Sequence, residues 1–162
     1  MMLTYSRGRD GRFQSPEVKE DRIMTTTVLL RVAAVVSLLF AAGHTLGGRK
    51  AWSPIGETGV LEAMRTYRFD VFGVSRTYLD FYRGFGFSLT VSLLLQAVLL
   101  WQLASLARTD ARRVSPMIAS FVLASLAGTV VSWIFILPQP AVFSAFLTAC
   151  LAAALFTAWR GR

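Results

Sequence analysis

Residues 84–107 read GFGFSLTVSLLLQAVLLWQLASLA, twenty-four positions without a charged side chain. A helix of that length rises about 36 Å, enough to cross the roughly 30 Å of hydrocarbon in a bilayer. Charge is crowded at its borders, with Arg76, Asp80 and Arg83 before it and Arg108 after it. A soluble helix rarely stays uncharged for so long.

Three more runs repeat the pattern. VAAVVSLLFAAGHTLGG covers residues 32–48, and taking in residues 28–31 lets Arg31 snorkel to the interface. MIASFVLASLAGTVVSWIFIL covers 117–137 and AVFSAFLTACLAAALFTAW covers 141–159. The expected spans are therefore 28–47, 84–107, 117–137 and 141–159. Ser115 and Pro116 predict an N-cap and a proline opening the third helix. Pro138 is expected to end it and Pro140 to start the fourth. Trp101, Trp133 and Trp159 lie toward span ends, where interfacial aromatics collect. The expected fold is an all-α membrane protein, a four-transmembrane-helix bundle with a short amphipathic helix in its first outer loop.

Composition agrees. Of 162 residues 54% are hydrophobic and 16% charged, against about a quarter charged in soluble domains. The net charge of +8 fits basic loops against anionic headgroups, and nucleic acid is excluded as a partner because no basic face is interleaved with aromatics away from the membrane edges. The single cysteine, Cys150, has no CxxC partner and reads as an inert buried thiol.

Residues 1–24 are polar and are expected to form a disordered tail. Met24 is the expected true start; a signal peptide beginning there, with Ala41-x-Gly43 as cleavage site, is the rival reading. The membrane domain is 25–159. Lysine and arginine counts place both termini in the cytoplasm, so that the loop 49–83 faces outward. There Val60, Leu61, Met64, Tyr67 and Val71 recur at helical spacing, with Glu62, Arg65 and Arg68 opposite, which predicts the amphipathic helix, anchored by Trp52.

Small residues spaced by four recur in every span and predict close helix packing. They are Ala33, Ser37, Ala41 and Thr45; Gly84, Ser88 and Ser92; Ser120, Ala124, Gly128 and Ser132; and Ala141, Ala145, Ala149, Ala153 and Thr157. Gln96, in mid-span, should bond another helix.

The candidate site lies at the headgroup level. Asp80 follows Arg76 by four residues and precedes Arg83 by three, so a helix would bring the three together as an ion-paired collar. Tyr78 and Tyr82 share a face, as do Phe81 and Phe85, and Gly84 and Gly86 admit a neighbour. His44, the only histidine, ends the first span on the same side. His44, Asp80, Tyr82, Arg83 and Arg76 would suit an anionic or quinone-like headgroup or a proton transfer. The plain alternative is a histidine capping helix carbonyls. No catalytic residue, metal or cofactor is assigned. One histidine cannot supply two axial haem ligands, and no carboxylate lies inside a span.

AAGHTLGG and FDVFGVSRTYLDFYRGFGFSLTVSLLLQAVLLWQLA resemble a group of uncharacterised small bacterial membrane proteins with four predicted helices. The likeness covers about residues 25–158 and implies topology rather than chemistry. More loosely, the layout is similar to DoxX-like four-helix proteins. The expected role is a bacterial inner-membrane protein that contacts ligand or lipid, or serves as an accessory. Its partners would be membrane lipids, a second copy or another membrane subunit. The alternatives are a membrane enzyme or redox component acting on a quinone- or lipid-like substrate at the His44 cluster, and a dimeric transporter with a polar path past Gln96, Ser92 and Thr129.

Overall fold

The computed structural model describes residues 16–50 and 53–160. Along the chain come α1 (Pro16–Gly47), a 3-10 turn (Gly48–Lys50), α2 (Gly59–Thr66), β1 (Arg68–Val71), β2 (Val74–Thr77), α3 (Tyr78–Asp110), α4 (Ser115–Phe135) and α5 (Pro138–Trp159). Helices α1, α3, α4 and α5 are long and apolar enough to cross a membrane. The protein is an all-α membrane protein of four spanning helices, with one small hairpin that the sequence reading missed.

Some borders move. Helix α1 starts at Pro16, so residues 16–24, expected to belong to the disordered tail, are helical. A span already nucleated extends at little cost, proline is tolerated at a first helical position, and Glu17 in the first turn suits the helix dipole. The rest of the expected tail, residues 1–15, lies outside the described residues, as does Trp52. Ser115 is not an N-cap: its hydroxyl donates to the Arg112 carbonyl, 2.8 Å away. Helix α4 ends at Phe135, and Pro138 opens α5 instead of closing α4.

The chain forms two compact units: residues up to Val36 together with Ala97 onward, and the intervening Ser37–Gln96. The first has a core drawn from four helices, including Leu30 and Ala33 of α1, Leu100 and Ala104 of α3, Ile118 of α4 and Leu151 of α5, each fully buried. Helices α4 and α5 are joined by hydroxyls as well as by packing. Ser144 Oγ donates to the Ser125 carbonyl at 3.0 Å, and Thr148 Oγ1 donates to Ser125 Oγ at 3.0 Å. A Cβ placed on Gly128 would stand 3.3 Å from Ser144 Oγ, so this glycine sets the helix approach.

Of the expected packing residues, Gly128 stands against α5 and Ala41 is buried; four others are not buried. Ala145, Ala149, Gly84 and Ser88 are exposed, and a Cβ on Gly84 would meet nothing within 4 Å. The cause is helical geometry. A strict four-residue step turns about 400° and so drifts about 40° around the helix each time. The buried faces mix steps of three and four: Ala97, Leu100, Ala104, Ala107 and Ala111 along α3 and into its C-terminal loop, and Ala141, Ser144, Leu147, Leu151, Ala154 and Ala158 on α5.

In the second unit Ser37 and Ala41 are buried on α1. Gln96 Nε2 donates to Ser37 Oγ at 3.0 Å, the interhelical bond expected of a mid-span amide. The expected amphipathic helix is real but short. Thr58 caps α2 by accepting the Leu61 N–H at 3.2 Å. Leu61 is buried with Leu79, and Met64 packs against both. Tyr67 leaves the helix in an extended conformation, and Val71, assigned to the apolar face of that helix, lies in β1.

Strands β1 and β2 pair antiparallel, Arg68 with Thr77 and Val71 with Val74. The two-residue turn between them places Phe72 at φ 50 and Gly73 at φ 77. Positive φ at both central residues is the requirement of a type I′ turn, which favours Asn-Gly. At the first position stands a phenylalanine, for which the left-handed region costs about 1–2 kcal/mol. The β-branched Val71, Val74 and Thr77 around Gly73 were the signal of a hairpin; the aromatic in the turn disguised it.

Candidate functional site

The collar residues do not form the ion-paired cluster the sequence reading expected. Helix α3 begins at Tyr78, so Arg76 lies in β2 and cannot share a helical face with Asp80. Its guanidinium donates to the adjacent Ser75 carbonyl at 2.8 Å. Asp80 closes a reciprocal capping box: its Oδ2 accepts the Thr77 N–H at 3.1 Å, and its own N–H donates to Thr77 Oγ1 at 3.0 Å. Among the described residues the ion pairs are Arg65 with Glu57 and Glu62, and Arg113 with Asp110. Asp80 and Arg83 join none of them. The carboxylate starts a helix.

His44 meets α3 elsewhere. Its Nε2–H donates to the Gly86 carbonyl at 3.1 Å, since a carbonyl can only accept. One residue on, Thr45 Oγ1 lies 3.2 Å from Thr90 Oγ1, and Thr90 bonds back to the same Gly86 carbonyl at 3.3 Å. The GHT end of α1 is thus stitched to the start of the long uncharged run of α3. Gly86 lies six residues beyond Asp80, about 9 Å along the helix axis. Tyr82 is exposed and Arg83 half-buried. The histidine bonds a carbonyl in the early turns of α3, so the carbonyl it meets is not one at a helix C-terminus.

What surrounds the start of α3 is aromatic. Phe69 of β1 packs against Tyr78 with the rings tilted, centres 5.1 Å apart, and meets Phe81 edge-on at 5.7 Å, and Phe81 meets Phe85 edge-on at 4.9 Å. Phe81 and Phe85 share a face as the spacing predicted; Phe69 was not foreseen, because its strand was not. Outside the membrane, Arg65 clamps Glu57 through two bonds of 2.7 and 2.8 Å, and these carboxylate contacts hold the guanidinium above its usual range.

The charged chemistry of the first unit lies at its helix ends. A cavity of about 270 Å³ is lined by Lys19 and Arg22 of α1, Asp110 at the end of α3, Arg112 of the α3–α4 connection, and Thr157 of α5. Asp110 is already engaged. Its Oδ1 accepts the N–H groups of Arg112 and Arg113 at 3.1 and 3.2 Å, and its Oδ2 lies 3.5 Å from Arg113 Nε. Three cationic side chains therefore line the cavity with one already bonded carboxylate. Arg22 also donates to the Arg160 carbonyl, and Thr26 Oγ1 lies 2.8 Å from Thr157 Oγ1, tying α1 to α5.

Arg31 is the one charged side chain of α1 between Arg22 and Arg49. It lies nine residues, about 14 Å, beyond Arg22. Its guanidinium stands 5.2 Å from the centre of the Trp101 ring, a cation–π pair. Its Nε is buried without a hydrogen-bond acceptor among the described residues. Trp101, read from sequence as an interfacial anchor, is the partner of this arginine.

Two further observations bear on the alternatives. The polar groups proposed to line a transport path bond within the protein: Ser92 Oγ to the Ser88 carbonyl, Thr129 Oγ1 to the Ser125 carbonyl, and Gln96 to Ser37. Among the described residues no group of three or more His, Cys, Asp or Glu is placed to hold a metal ion. Comparison of the chain with models of known protein families, with curated proteins and with solved structures returns no match.

Proposed function

We propose that this protein is an accessory component of a bacterial inner membrane that binds acidic phospholipid and has no catalytic activity of its own. The observation that carries this reading is the cavity of about 270 Å³ lined by Lys19, Arg22 and Arg112. Basic pockets among the ends of membrane helices suit phosphodiester headgroups of the cytoplasmic leaflet. The same residues support cytoplasmic termini, because Lys19 and Arg22 meet the Arg112 loop at one set of helix ends. Kinship with the small bacterial four-helix membrane proteins belongs to this proposal. The enzyme reading loses support, because Asp80 and His44 both serve backbone groups.

The test is purification in native lipid followed by mass spectrometry of what remains bound. Phosphatidylglycerol or cardiolipin should copurify, several-fold less with the double variant Lys19→Gln/Arg112→Gln, while His44→Ala retains it. Recovery of neutral lipid alone would refute the cavity's role. A defined quinone lost on His44→Ala would instead restore the enzyme reading.

A further inference from the structure

The hairpin tip is built against its own conformational preference. Phe72 sits at φ 50 in a turn that favours asparagine, and its side chain is 101% exposed. No burial among the described residues repays that placement. A strained residue that persists without internal contacts points to a role outside the fold. Val71 and Val74, at either side of the turn, are also exposed, so the tip presents three apolar side chains together.

The mounting of the hairpin says what covers them. Strand β2 ends at Thr77 and α3 begins at Tyr78 with no linker. The Tyr78 N–H donates to the Tyr67 carbonyl at 3.4 Å, which carries the ladder to the helix start. Phe69 packs against Tyr78 and Phe81. The hairpin is therefore fixed to the first turns of a membrane-crossing helix. Its tip lies only four residues before β2 hands over to α3, about 13 Å of strand. Arg68 and Arg76 stand on the two strands, with Arg76 paired opposite Phe69, positioned for anionic headgroups while an aromatic tip enters the interface.

We infer that the β1–β2 hairpin is a membrane-inserting element: Phe72, with Val71 and Val74, dips into the interfacial region of the bilayer at the surface where α3 begins, and Arg68 and Arg76 hold lipid phosphates above it. This goes beyond the headgroup cavity and uses none of its residues. An insertion anchor would fix the rotation and height of α3.

The test is spin-label accessibility on the full-length protein in liposomes of phosphatidylethanolamine and phosphatidylglycerol. Cys150 is replaced by Ala, and a nitroxide is attached at Phe72→Cys. Collisions with lipid-soluble oxygen should exceed those with a water-soluble nickel complex, as for a label below the phosphates. Free access to the nickel complex would overturn the inference, because the tip would stand in water. Shielding from both reagents would overturn it in favour of a protein partner or a second copy. A second variant separates insertion from folding. With the label at Val74→Cys, adding Phe72→Asn should raise the thermal midpoint, since it suits the turn, yet shift the label toward the nickel complex. An unchanged label depth would count against Phe72 as the anchor.

Discussion

The α4–α5 pair and the segment from Glu57 to Thr90 both hold helices in place, by opposite means. Between α4 and α5 a bare glycine lets two backbones close in, and serine and threonine hydroxyls bond across the gap at 3.0 Å. In the other segment the polar groups mostly serve their own neighbourhood: Thr58 caps α2, Thr77 and Asp80 cap α3, and Glu57 clamps Arg65. The difference follows the solvent. In hydrocarbon a polar group must find a partner inside the protein and apolar burial between helices gains little, so close approach decides packing. At the headgroup level water and phosphate compete, and only short-range capping holds a chain in one shape.

Two glycines test that contrast most strongly. Gly128→Leu should destabilise the protein by about 1–3 kcal/mol, because the added side chain must push Ser144 and α5 away. Gly84→Leu, where a Cβ meets nothing within 4 Å, should leave the thermal midpoint in detergent unchanged. Equal losses would mean that close approach is not special to α4 and α5. Next in size, Thr77→Ala removes one half of the box that starts α3 and should cost about 1 kcal/mol. Hydrogen exchange should quicken at residues 78–83 and nowhere in α4 or α5.

Arg31→Met comes next. An arginine costs about 2.5–3.5 kcal/mol at a span centre and less toward the span's edge, and a cation–π pair returns about 0.5–2 kcal/mol. The variant should therefore fold with a midpoint equal to or above the parent's; a sharp loss would show that the orphaned Nε has an acceptor in the native membrane. Gln96→Leu should cost about 0.6 kcal/mol, the average for an interhelical hydrogen bond in a membrane. The smallest effect belongs to Arg65→Ala, whose ion pairs are exposed to water. It should loosen α2 in hydrogen exchange without moving the whole-protein midpoint.

The four spans were legible because an uncharged run of twenty or so residues has few other fates, and Gln96 was legible because an amide in hydrocarbon must find a partner. Ala41 and Gly128 were found by their spacing, but the same rule misplaced Ala145, Ala149, Gly84 and Ser88: a ladder of fours drifts around the helix, and alanine is too common in spans to mark a face. The collar failed for a different reason. Arg76, Asp80 and Arg83 make a plausible helical triplet only if the helix already exists at Arg76. It starts two residues later, and TYLD then reads as a capping box of Thr77 and Asp80. The hairpin stayed hidden because Phe72 holds a position that asparagine usually marks. The cavity of Lys19, Arg22 and Arg112 joins residues far apart in the sequence, which only the fold brings together.

The most direct test of the whole account asks what solvent surrounds the helices. Leu95, Leu126 and Phe146 are exposed near the middle of α3, α4 and α5. Each is replaced by Cys in a Cys150→Ala background, with Ile55→Cys, exposed in the α1–α2 connection, as the loop control. In detergent-free membrane fragments a water-soluble maleimide should modify the control and leave the three mid-helix thiols untouched until the bilayer is dissolved. Modification of any of the three at the control's rate would place water where the account requires hydrocarbon.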